Sequence, residues 1–374
     1  MVYDFLIIGA GVAGASIAAH LAESGSVGVL EMESQAGYHS TGRSAAIYVR
    51  NYGNAAIRAL SDASFETLAT GSPPLNHQSY LSPRGVMLIA EPGREAALAA
   101  DLAQAKAMVA LTPEQAVALA PILRVEKIGL AGYEPAAQDI DVAALHQAYL
   151  GLLKRRGGRL HLSCDVEKLT RRDGQWRVTC RQGRFDARIV INAAGAWADL
   201  IAARAGLPPV GLQPLRRSAA MVPLADLPGG DGLDCSGWPL VGDAGETFYF
   251  KPDGGKLMVS PADEIPVAPH DAYVDDLVLA EGLDRFQHFT RVEVTRIERR
   301  WAGLRTFAPD RTPVVGFDPA GDGFFWLAGQ GGYGIQTAPA MAQLGAALAT
   351  GSSLPAALTA AEVPVALLDP GRFR

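Results

Sequence analysis

Apolar residues form short continuous runs along the chain, and these alternate with stripes of apolar residues at helical spacing. The runs at 5–8 and 27–30 are typical of buried parallel strands, and an Ala-rich helical stretch lies between them. Further strands are predicted at 85–90, 159–162, 166–169, 176–180, 188–192, 219–223, 246–251, 256–260, 291–299 and 323–327. The chain therefore opens with a strand–helix–strand unit and continues as a mixture of both element types.

Helices are predicted where apolar residues recur every three or four positions. They cover 48–69, two surface segments within 93–120, a segment after Asp141 and one near 274–289, and an Ala-rich helix follows residue 337. Thr112 is a predicted N-cap with Pro113 in the first turn, and Asp141 precedes the apolar stripe of Leu145, Tyr149 and Leu153. Helical segments therefore separate most groups of strands.

The turn after the first strand carries the sequence GAGVAG at residues 9–14. Gly9 allows a tight turn, Gly11 leaves room for a pyrophosphate, and Gly14 lets the helix pack closely on the strand. The second strand ends at Glu31, where a carboxylate can bond the ribose hydroxyls of a dinucleotide. A tight turn without a nucleotide is the alternative, and the motif alone does not separate NAD from FAD.

Three more segments join small residues to predicted strands or helices. Residues 37–46 are a loop rich in Gly and Ser, 193–198 follow a strand, and 330–337 are a glycine cluster between a strand and a helix. Small residues let a backbone approach a ligand closely, and a helix N-terminus favours anions. Two such segments, the glycine turns near opposite ends of the chain, predict one large ligand with two polar parts. FAD has this character. For 193–198, close packing of strand on helix is the alternative.

The order of elements predicts an α/β protein, α+β overall. We expect a Rossmann-type domain formed by 1–75, 146–212 and 304–374, interleaved with a substrate domain formed by 76–145 and 213–303. The second domain is expected to be built on a mainly antiparallel sheet, because its strands follow one another without intervening helices.

Composition places the chain among ordinary globular proteins, with 374 residues, 49% hydrophobic residues and 19% charged residues. A net charge of −6 without a basic run argues against binding to nucleic acid. The three cysteines are widely spaced and have no metal-ligand pattern, so no metal is predicted and all three are expected to be reduced.

The apolar N-terminus has no basic region and carries Asp4, so we expect no cleaved signal. Apolar runs are too short to span a membrane, although peripheral membrane contact stays open. The expected location is the cytoplasm of a bacterium.

Four segments together resemble the D-amino-acid oxidase/glycine oxidase superfamily of FAD-dependent oxidoreductases. They are residues 8–14 (IGAGVAG), 39–46 (HSTGRSAA), 192–197 (NAAGAW) and 330–337 (QGGYGIQT). Within that superfamily the chain is most similar to bacterial D-arginine dehydrogenases, through 214–218 (PLRRS), 248–253 (FYFKPD) and 301–305 (WAGLR).

The resemblance implies noncovalent FAD and oxidation of the Cα–N bond of a D-amino acid. Arg217 and Arg305 match the arginines that bind the substrate carboxylate, although the neighbouring Arg216 could take the place of Arg217. Tyr52 and Tyr249 match phenols of the substrate pocket. Gly332 matches a residue whose carbonyl accepts from the substrate amine. The residues that the resemblance places at FAD are Gly9, Gly11, Val12, Ala13, Gly14, Glu31, Met32, Ser40, Thr41, Arg43, Ser44, Ala45, Ala46, Val166, Ala193, Ala194, Gly195, Trp197, Gly331, Gly332, Tyr333, Gly334, Ile335, Gln336 and Thr337.

Two positions depart from the D-arginine enzymes. Ile47 stands where they have a histidine, and Val86 stands where they have the glutamate that pairs with the substrate guanidinium. A cationic side chain would then be buried without a partner, which is costly. The sequence therefore predicts a preference for neutral, apolar D-amino acids.

Other functions stay open at this stage. Glycine or sarcosine oxidation is the alternative within the same fold, while an NAD-dependent dehydrogenase or a noncatalytic flavin subunit are alternatives outside it. The electron acceptor is either O₂ or a quinone.

Overall fold

A computed structural model describes residues 2–374. Its strands are β1 (Val2–Ile8), β2 (Val27–Leu30), β3 (Ile47–Tyr48), β4 (Leu81–Pro83), β5 (Val86–Ala90), β6 (Val109–Leu111), β7 (Leu130–Glu134), β8 (Gln138–Ile140), β9 (Arg159–His161), β10 (Val166–Arg172), β11 (Gln175–Cys180), β12 (Gly183–Asn192), β13 (Gln213–Val222), β14 (Leu240–Asp243), β15 (Tyr249–Asp253), β16 (Lys256–Ser260), β17 (Ile265–Pro266), β18 (Arg299–Phe307), β19 (Val314–Phe317), β20 (Phe324–Ala328) and β21 (Gln330–Gly331). Its α-helices are α1 (Val12–Leu21), α2 (Ala55–Thr70), α3 (Ala96–Gln104), α4 (Pro113–Leu119), α5 (Val142–Arg155), α6 (Ala198–Arg204), α7 (Asp276–Phe289), α8 (Ala338–Thr350) and α9 (Ala356–Ala360).

The first sheet is built around β1, which pairs in parallel with β2 on one side and with β12 on the other. Strands β9 and β20 extend this parallel part, whereas β10, β11 and β19 add antiparallel pairs. Helices α1, α5 and α8 cover it with a continuous apolar core, and α6 packs on its other side. The continuous apolar runs became parallel strands because both faces of the sheet are buried.

The second sheet follows the order β21-β18-β13-β16-β15-β14-β5-β7-β6. Only the β5–β14 pair is parallel within this described order. Helix α7 packs on β13 and β16 through the buried residues Leu279, Leu283 and Phe286. The fold is thus the predicted combination of a Rossmann-type unit with a mainly antiparallel sheet, while the exact domain boundaries stay a prediction.

The predicted elements differ from the structure in several places: β12 and β13 begin five and six residues before the strands predicted at 188–192 and 219–223, and two further elements differ more. The helix predicted over 48–69 begins only at Ala55, because Asn54 caps it by accepting from the Ile57 N–H at 3.0 Å. The charged strand predicted over 291–299 is an irregular segment, and the strand in that region is β18, which starts at Arg299. Val292 is buried there, and Val294 and Ile297 pack against the same core, so the alternation reports burial of one face, but the segment has no strand pairing before Arg299.

The expectation that all three cysteines are reduced is wrong for two of them. Cys164 and Cys180 form a disulfide, with Cα atoms 5.7 Å apart. The antiparallel pairing of β10 with β11 brings them together, since it aligns Val166 with Cys180. Cys235 is a buried free cysteine, as expected of a structural residue.

Within residues 2–374, no helix is long and apolar enough to cross a membrane.

The tight contact at Gly14 generates a prediction. A Cβ at Gly14 would lie 1.9 Å from the Gly9 carbonyl oxygen, so Gly14→Ala must push α1 away from the turn. We expect a loss of about 1–3 kcal/mol of stability, typical of overpacking, together with a loss of bound flavin. Thermal unfolding and flavin absorbance measure the two effects. Gly237→Ala is the matched control because a Cβ there meets nothing within 4 Å; equal behaviour of both variants would contradict the packing role.

Candidate active site

One large cavity of about 1180 Å³ runs between the two sheets. The β1–α1 turn and Glu31 line one part of it, and β13, β18 and the β21–α8 segment line another. The cavity therefore joins the predicted nucleotide site to the predicted substrate site.

The β1–α1 turn presents backbone rather than side chains to this cavity. Gly9 has φ of +101°, and a Cβ on it would lie 2.5 Å from the Ala193 carbonyl oxygen. Gly11 is the N-cap of α1 and has no side chain to occupy the free N–H groups of the first turn. One of these groups, the Val12 N–H, donates to Thr41 Oγ1 at 3.0 Å. The turn fits a pyrophosphate for the reasons that the motif predicted.

Glu31 is the acidic residue at the end of β2, and it is only 7% exposed. Its Oε2 accepts from the Ala10 N–H at 2.7 Å and its Oε1 from the Glu33 N–H at 3.0 Å. An ionised carboxylate can accept about four hydrogen bonds, so acceptor capacity is left for ribose hydroxyls.

The loop at 37–46 connects the nucleotide part of the cavity to β18. Ser40 Oγ donates to the Leu304 carbonyl at 2.6 Å. Arg43 donates to the carbonyls of Ala272 and Ala302 at 2.9 and 3.0 Å and pairs with Asp271. Arg43 lines the cavity, but these bonds show that its guanidinium mainly ties the loop to the second sheet.

The other predicted cofactor segments mostly reach the same cavity. Trp197 contacts His39 in a tilted arrangement with ring centroids 4.6 Å apart, and both line the cavity. Gly14 and Thr337 do not line it: Gly14 packs under the turn, and buried Thr337 bonds the Tyr333 carbonyl. The remaining predicted residues in the lining are Met32, Ser44, Ala45, Ala46, Val166, Ala193, Ala194, Gly195, Gly331, Gly332, Tyr333, Gly334, Ile335 and Gln336.

The choice between Arg216 and Arg217 follows from the alternation of side chains along β13. Arg217 lines the cavity, where its Nε donates to the Asp263 carbonyl at 2.9 Å. Arg216 lies on the opposite face, buried beside Asp263 and Asp275 at 3.5 Å from each. Arg217 is therefore the arginine available to a ligand.

Arg305 on β18 lies beside Arg217 in the same wall of the cavity. Its Nη2 donates to the Tyr52 hydroxyl at 2.6 Å, and a Cβ on Gly332 would lie 1.5 Å from that nitrogen. Burial opposes its charge, but Tyr52, Tyr249 and Glu264 outweigh burial and raise the pKa of Arg305 above its ordinary value. Arg305 is thus a permanent cation, and a side chain at residue 332 would displace its guanidinium.

Sequence reasoning missed Glu264 and Arg311. The Glu264 carboxylate contacts Arg217 at 3.2 Å, Arg305 at 3.1 Å and Arg311 at 3.0 Å. Arg311 also lies over the Phe307 ring, 3.8 Å from its centroid. No motif marks these two residues, because Glu264 lies 41 residues from Arg305 and reaches it only through the sheet.

An apolar wall faces the two arginines from the β5 side. Ile47 and Val86 line the cavity and belong to a cluster with Leu240, Leu88 and Tyr249. This part of the cavity lining is therefore apolar.

A buried carboxylate, which sequence reasoning missed, stands next to this wall. Glu134 is the cross-strand neighbour of Val86, lines the cavity and is 2% exposed. Its oxygens accept from the Arg50 N–H at 2.9 Å and from Asn51 Nδ2 at 2.7 Å, which holds the loop before Tyr52.

A Rossmann-type turn, a second glycine cradle and a cationic wall on one cavity fit a protein that binds a dinucleotide next to a second, anionic ligand. The chain belongs to the FAD dependent oxidoreductase (DAO) family, whose profile matches residues 4–348.

Individual relatives agree with this assignment. Dimethylglycine dehydrogenase of Mus musculus mitochondria is 25% identical over 363 residues, covering 89% of this chain and 40% of the relative. The chain spans about a third to two fifths of the length of the first curated relatives it matches. Among solved structures, L-proline dehydrogenase from P. horikoshii has a TM-score of 0.82 at 22% identity, covering 100% of this chain and 98% of the other. Glycine oxidase from Geobacillus kaustophilus has a TM-score of 0.79 at 23% identity, with coverages of 94% and 95%.

Family membership makes FAD the cofactor that this cavity is expected to hold. Its glycine turns, its free helix N-terminus and the carboxylate of Glu31 fit the two polar ends of such a dinucleotide.

The position of the Glu31 carboxylate predicts a contribution to FAD binding. Glu31→Ala should weaken FAD binding at least tenfold, because it removes the carboxylate that is expected to bond the ribose and that accepts from two backbone amides. Titration of apoprotein with FAD, followed by flavin fluorescence, measures the change. Glu23→Ala is the control, since that side chain is exposed at the end of the same unit. Unchanged affinity in the Glu31 variant would place the ribose contact elsewhere.

Proposed function

We propose that this enzyme oxidises the Cα–N bond of neutral, apolar D-amino acids with FAD as the electron acceptor in the active site. Family membership supports the FAD-dependent oxidation. The amino-acid substrate and its configuration are the finer part of the proposal. The observation that carries it is the pair of cavity-facing arginines, Arg217 and Arg305, beside the phenols of Tyr52 and Tyr249.

The two arginines supply what a substrate carboxylate requires. Arginine forms bidentate bonds with carboxylates, and both side chains are mostly buried, so water screens them weakly. Tyr52 is held by Arg305 and contacts Tyr333 edge to face with centroids 4.7 Å apart, which fixes its hydroxyl beside the clamp. Gly332 lies against Arg305, where its carbonyl is proposed to accept from the substrate amine.

The proposed oxidation removes the Cα hydrogen, two electrons and one amine proton from the substrate. When bound, FAD would supply the acceptor for two electrons and the Cα hydrogen, and the substrate amine would lose one proton to solvent. The resulting imino acid is released and takes up water to give a 2-oxo acid and ammonia. The described chain binds and orients the substrate, whereas the electron chemistry belongs to the cofactor.

The side-chain preference follows from the wall that contains Ile47 and Val86. A cationic side chain would meet apolar surface there. The buried Glu134 carboxylate next to the wall can accept further bonds, but both its oxygens are directed to the Arg50 N–H and to Asn51, in the loop before Tyr52. Burying a cation against such a wall is unfavourable unless a carboxylate is free to pair with it. Neutral substrates are therefore favoured, and this difference from the D-arginine dehydrogenases in substrate preference stays a prediction.

Oxidation of glycine or an N-methylglycine is the second candidate. The observation in its favour is the similarity to a dimethylglycine dehydrogenase over most of this chain, together with a curated glycine oxidase that is 26% identical over 234 residues. These smaller substrates would use the same arginine clamp and leave the apolar wall empty.

We further propose that FAD is bound noncovalently. Cys164 lines the cavity but is bonded to Cys180, and Cys235 lies outside the lining. The electron acceptor, O₂ or a quinone, and a cytoplasmic location stay predictions from the sequence.

Anaerobic mixing of the purified enzyme with single amines tests the proposed function. Loss of flavin absorbance near 450 nm should follow addition of D-leucine, D-methionine or D-phenylalanine, but not D-arginine or L-amino acids. Val86→Glu should raise the rate with D-arginine relative to D-leucine, because it adds a carboxylate to the wall. Val86→Gln is the control of similar size without charge.

Other patterns of flavin reduction would contradict parts of the proposed function. Reduction only by glycine or sarcosine would favour the second candidate. Reduction of the wild-type flavin by D-arginine would contradict the neutral pocket and would point to Glu134 as the partner of the cation. No reduction by any of these amines would overturn the substrate class.

Arg305 carries a separate prediction. Arg305→Ala should lower kcat/KM by an amount equivalent to about 2–5 kcal/mol, the cost of removing one partner of a desolvated charge pair. Stopped-flow reduction of the flavin measures the loss. The control is Arg300→Ala, on the same strand but exposed and paired with Asp276. Wild-type kinetics in the Arg305 variant would exclude it from the carboxylate clamp.

A further inference from the structure

Glu264 is the single carboxylate shared by three arginines at the wall of the active site. Its Oε1 accepts from Arg217, Arg305 and Arg311 at 3.1–3.2 Å, and its Oε2 accepts from Arg311 at 3.0 Å. Arg217, Arg305 and Arg311 line the cavity, whereas Glu264 lies outside the described lining. The Glu264 carboxylate therefore contacts the three guanidinium groups without itself lining the cavity.

The backbone next to Glu264 is anchored firmly to β13. The carboxylate of Asp263 accepts from the Ser218 N–H at 2.6 Å and from Ser218 Oγ at 3.0 Å. The Asp263 carbonyl accepts from Arg217 Nε at 2.9 Å. Residue 264 is thus placed beside β13 by contacts that do not involve its own side chain, and its carboxylate has a defined position.

This arrangement leaves much of the donor capacity of the clamp free. A guanidinium has five N–H donors. Arg217 uses donors on Nε and Nη2, and Arg305 uses donors on Nη1 and Nη2, so each keeps three N–H groups without a protein partner in these bonds. One oxygen of Glu264 accepts from both groups, and both side chains line the same cavity, so their remaining donors are close to one another.

From this geometry we propose that Glu264 is a positioning residue, which orients Arg217 and Arg305 for binding of the substrate carboxylate. The inference rests on the proposed function and deepens it by naming the residue that organises the clamp. Two neighbouring guanidinium groups repel each other, and a shared carboxylate offsets that repulsion while it fixes their planes. Without it, each arginine would gain alternative rotamers.

Arg311 is the counterpart of Glu264 on the solvent side. It is 48% exposed in its side chain, contacts both oxygens of Glu264 and lies over the Phe307 ring. Its donors hold the carboxylate so that Oε1 faces the two clamp arginines. Arg311 is therefore expected to have a smaller effect on the clamp than Glu264 itself.

The test compares the flavin-loaded wild type with Glu264→Gln, Glu264→Ala and Arg311→Met. Binding of benzoate, a carboxylate without an amine, is followed by the change in the flavin spectrum. The rate of flavin reduction is then measured over a range of concentrations of the best substrate. Flavin content and thermal unfolding check that each variant is folded, and Glu281→Gln, an exposed glutamate paired with Arg285, is the matched control.

We expect Glu264→Ala to raise the Kd for benzoate and for substrate about tenfold or more, as loss of a charge-assisted contact does. The limiting reduction rate at saturating substrate should change much less, because the substrate still lies at the same flavin. Glu264→Gln should show part of the effect and Arg311→Met a smaller one.

Two results would overturn the proposal. Unchanged Kd values in folded Glu264 variants would mean that the arginines are oriented by other contacts. Tighter binding in Glu264→Gln would mean that Glu264 only reduces the positive potential of the site. If the wild type itself binds no carboxylate, the proposed function fails first, and that result is distinct from either of these.

Discussion

The active site depends on the antiparallel register between β13 and β18. This register aligns Leu215 with Arg305 and Arg217 with Gly303, so the two arginines are diagonal neighbours on the same face of the sheet. Diagonal neighbours in such a pair lie within reach of long side chains. A shift of one residue would turn one arginine to the opposite face, where Arg216 now lies against two aspartates. The convergence of charge is therefore a property of the strand pairing and not of the side chains alone.

A pair of buried arginines is stable only if its charge is compensated. The clamp meets this condition with few groups, namely the Glu264 carboxylate, the Asp263 carbonyl and the Tyr52 hydroxyl. These acceptors bond some of the N–H groups of Arg217 and Arg305 and leave others free. In a structural ion pair, by contrast, the charge of the arginine is balanced within the protein. At Arg216 on the opposite face, two aspartates surround one arginine, and no ligand is needed to balance its charge. The two neighbouring residues of β13 illustrate how local acceptors decide between a structural and a binding role.

The parts of the site that could be predicted from the sequence are those encoded by contiguous residues. The turn at Gly9 and the packing at Gly14 follow from local backbone geometry, so the motif predicted their placement, and the capped helix at Thr112 was equally local. Family resemblance supplied Arg305, which spacing alone would not. Glu264 could not be predicted, because its partners come from three separate positions on β13, β18 and the following turn. The Cys164–Cys180 pair was missed for the same reason, since hairpin register and not sequence distance joins them.

The nucleotide loop and the substrate clamp are connected through the backbone of β18. Ser40 bonds the Leu304 carbonyl, Arg43 bonds the Ala302 carbonyl, and Gly331 pairs with Thr306. These contacts flank Arg305 on its own strand, and Gly332 then closes against its guanidinium. A displacement of either cofactor segment must therefore move the strand that carries the clamp. The loop and β18 are far apart in the sequence, but these hydrogen bonds connect the predicted cofactor region directly to the predicted substrate region. Residues that are distant in the chain therefore line a single cavity.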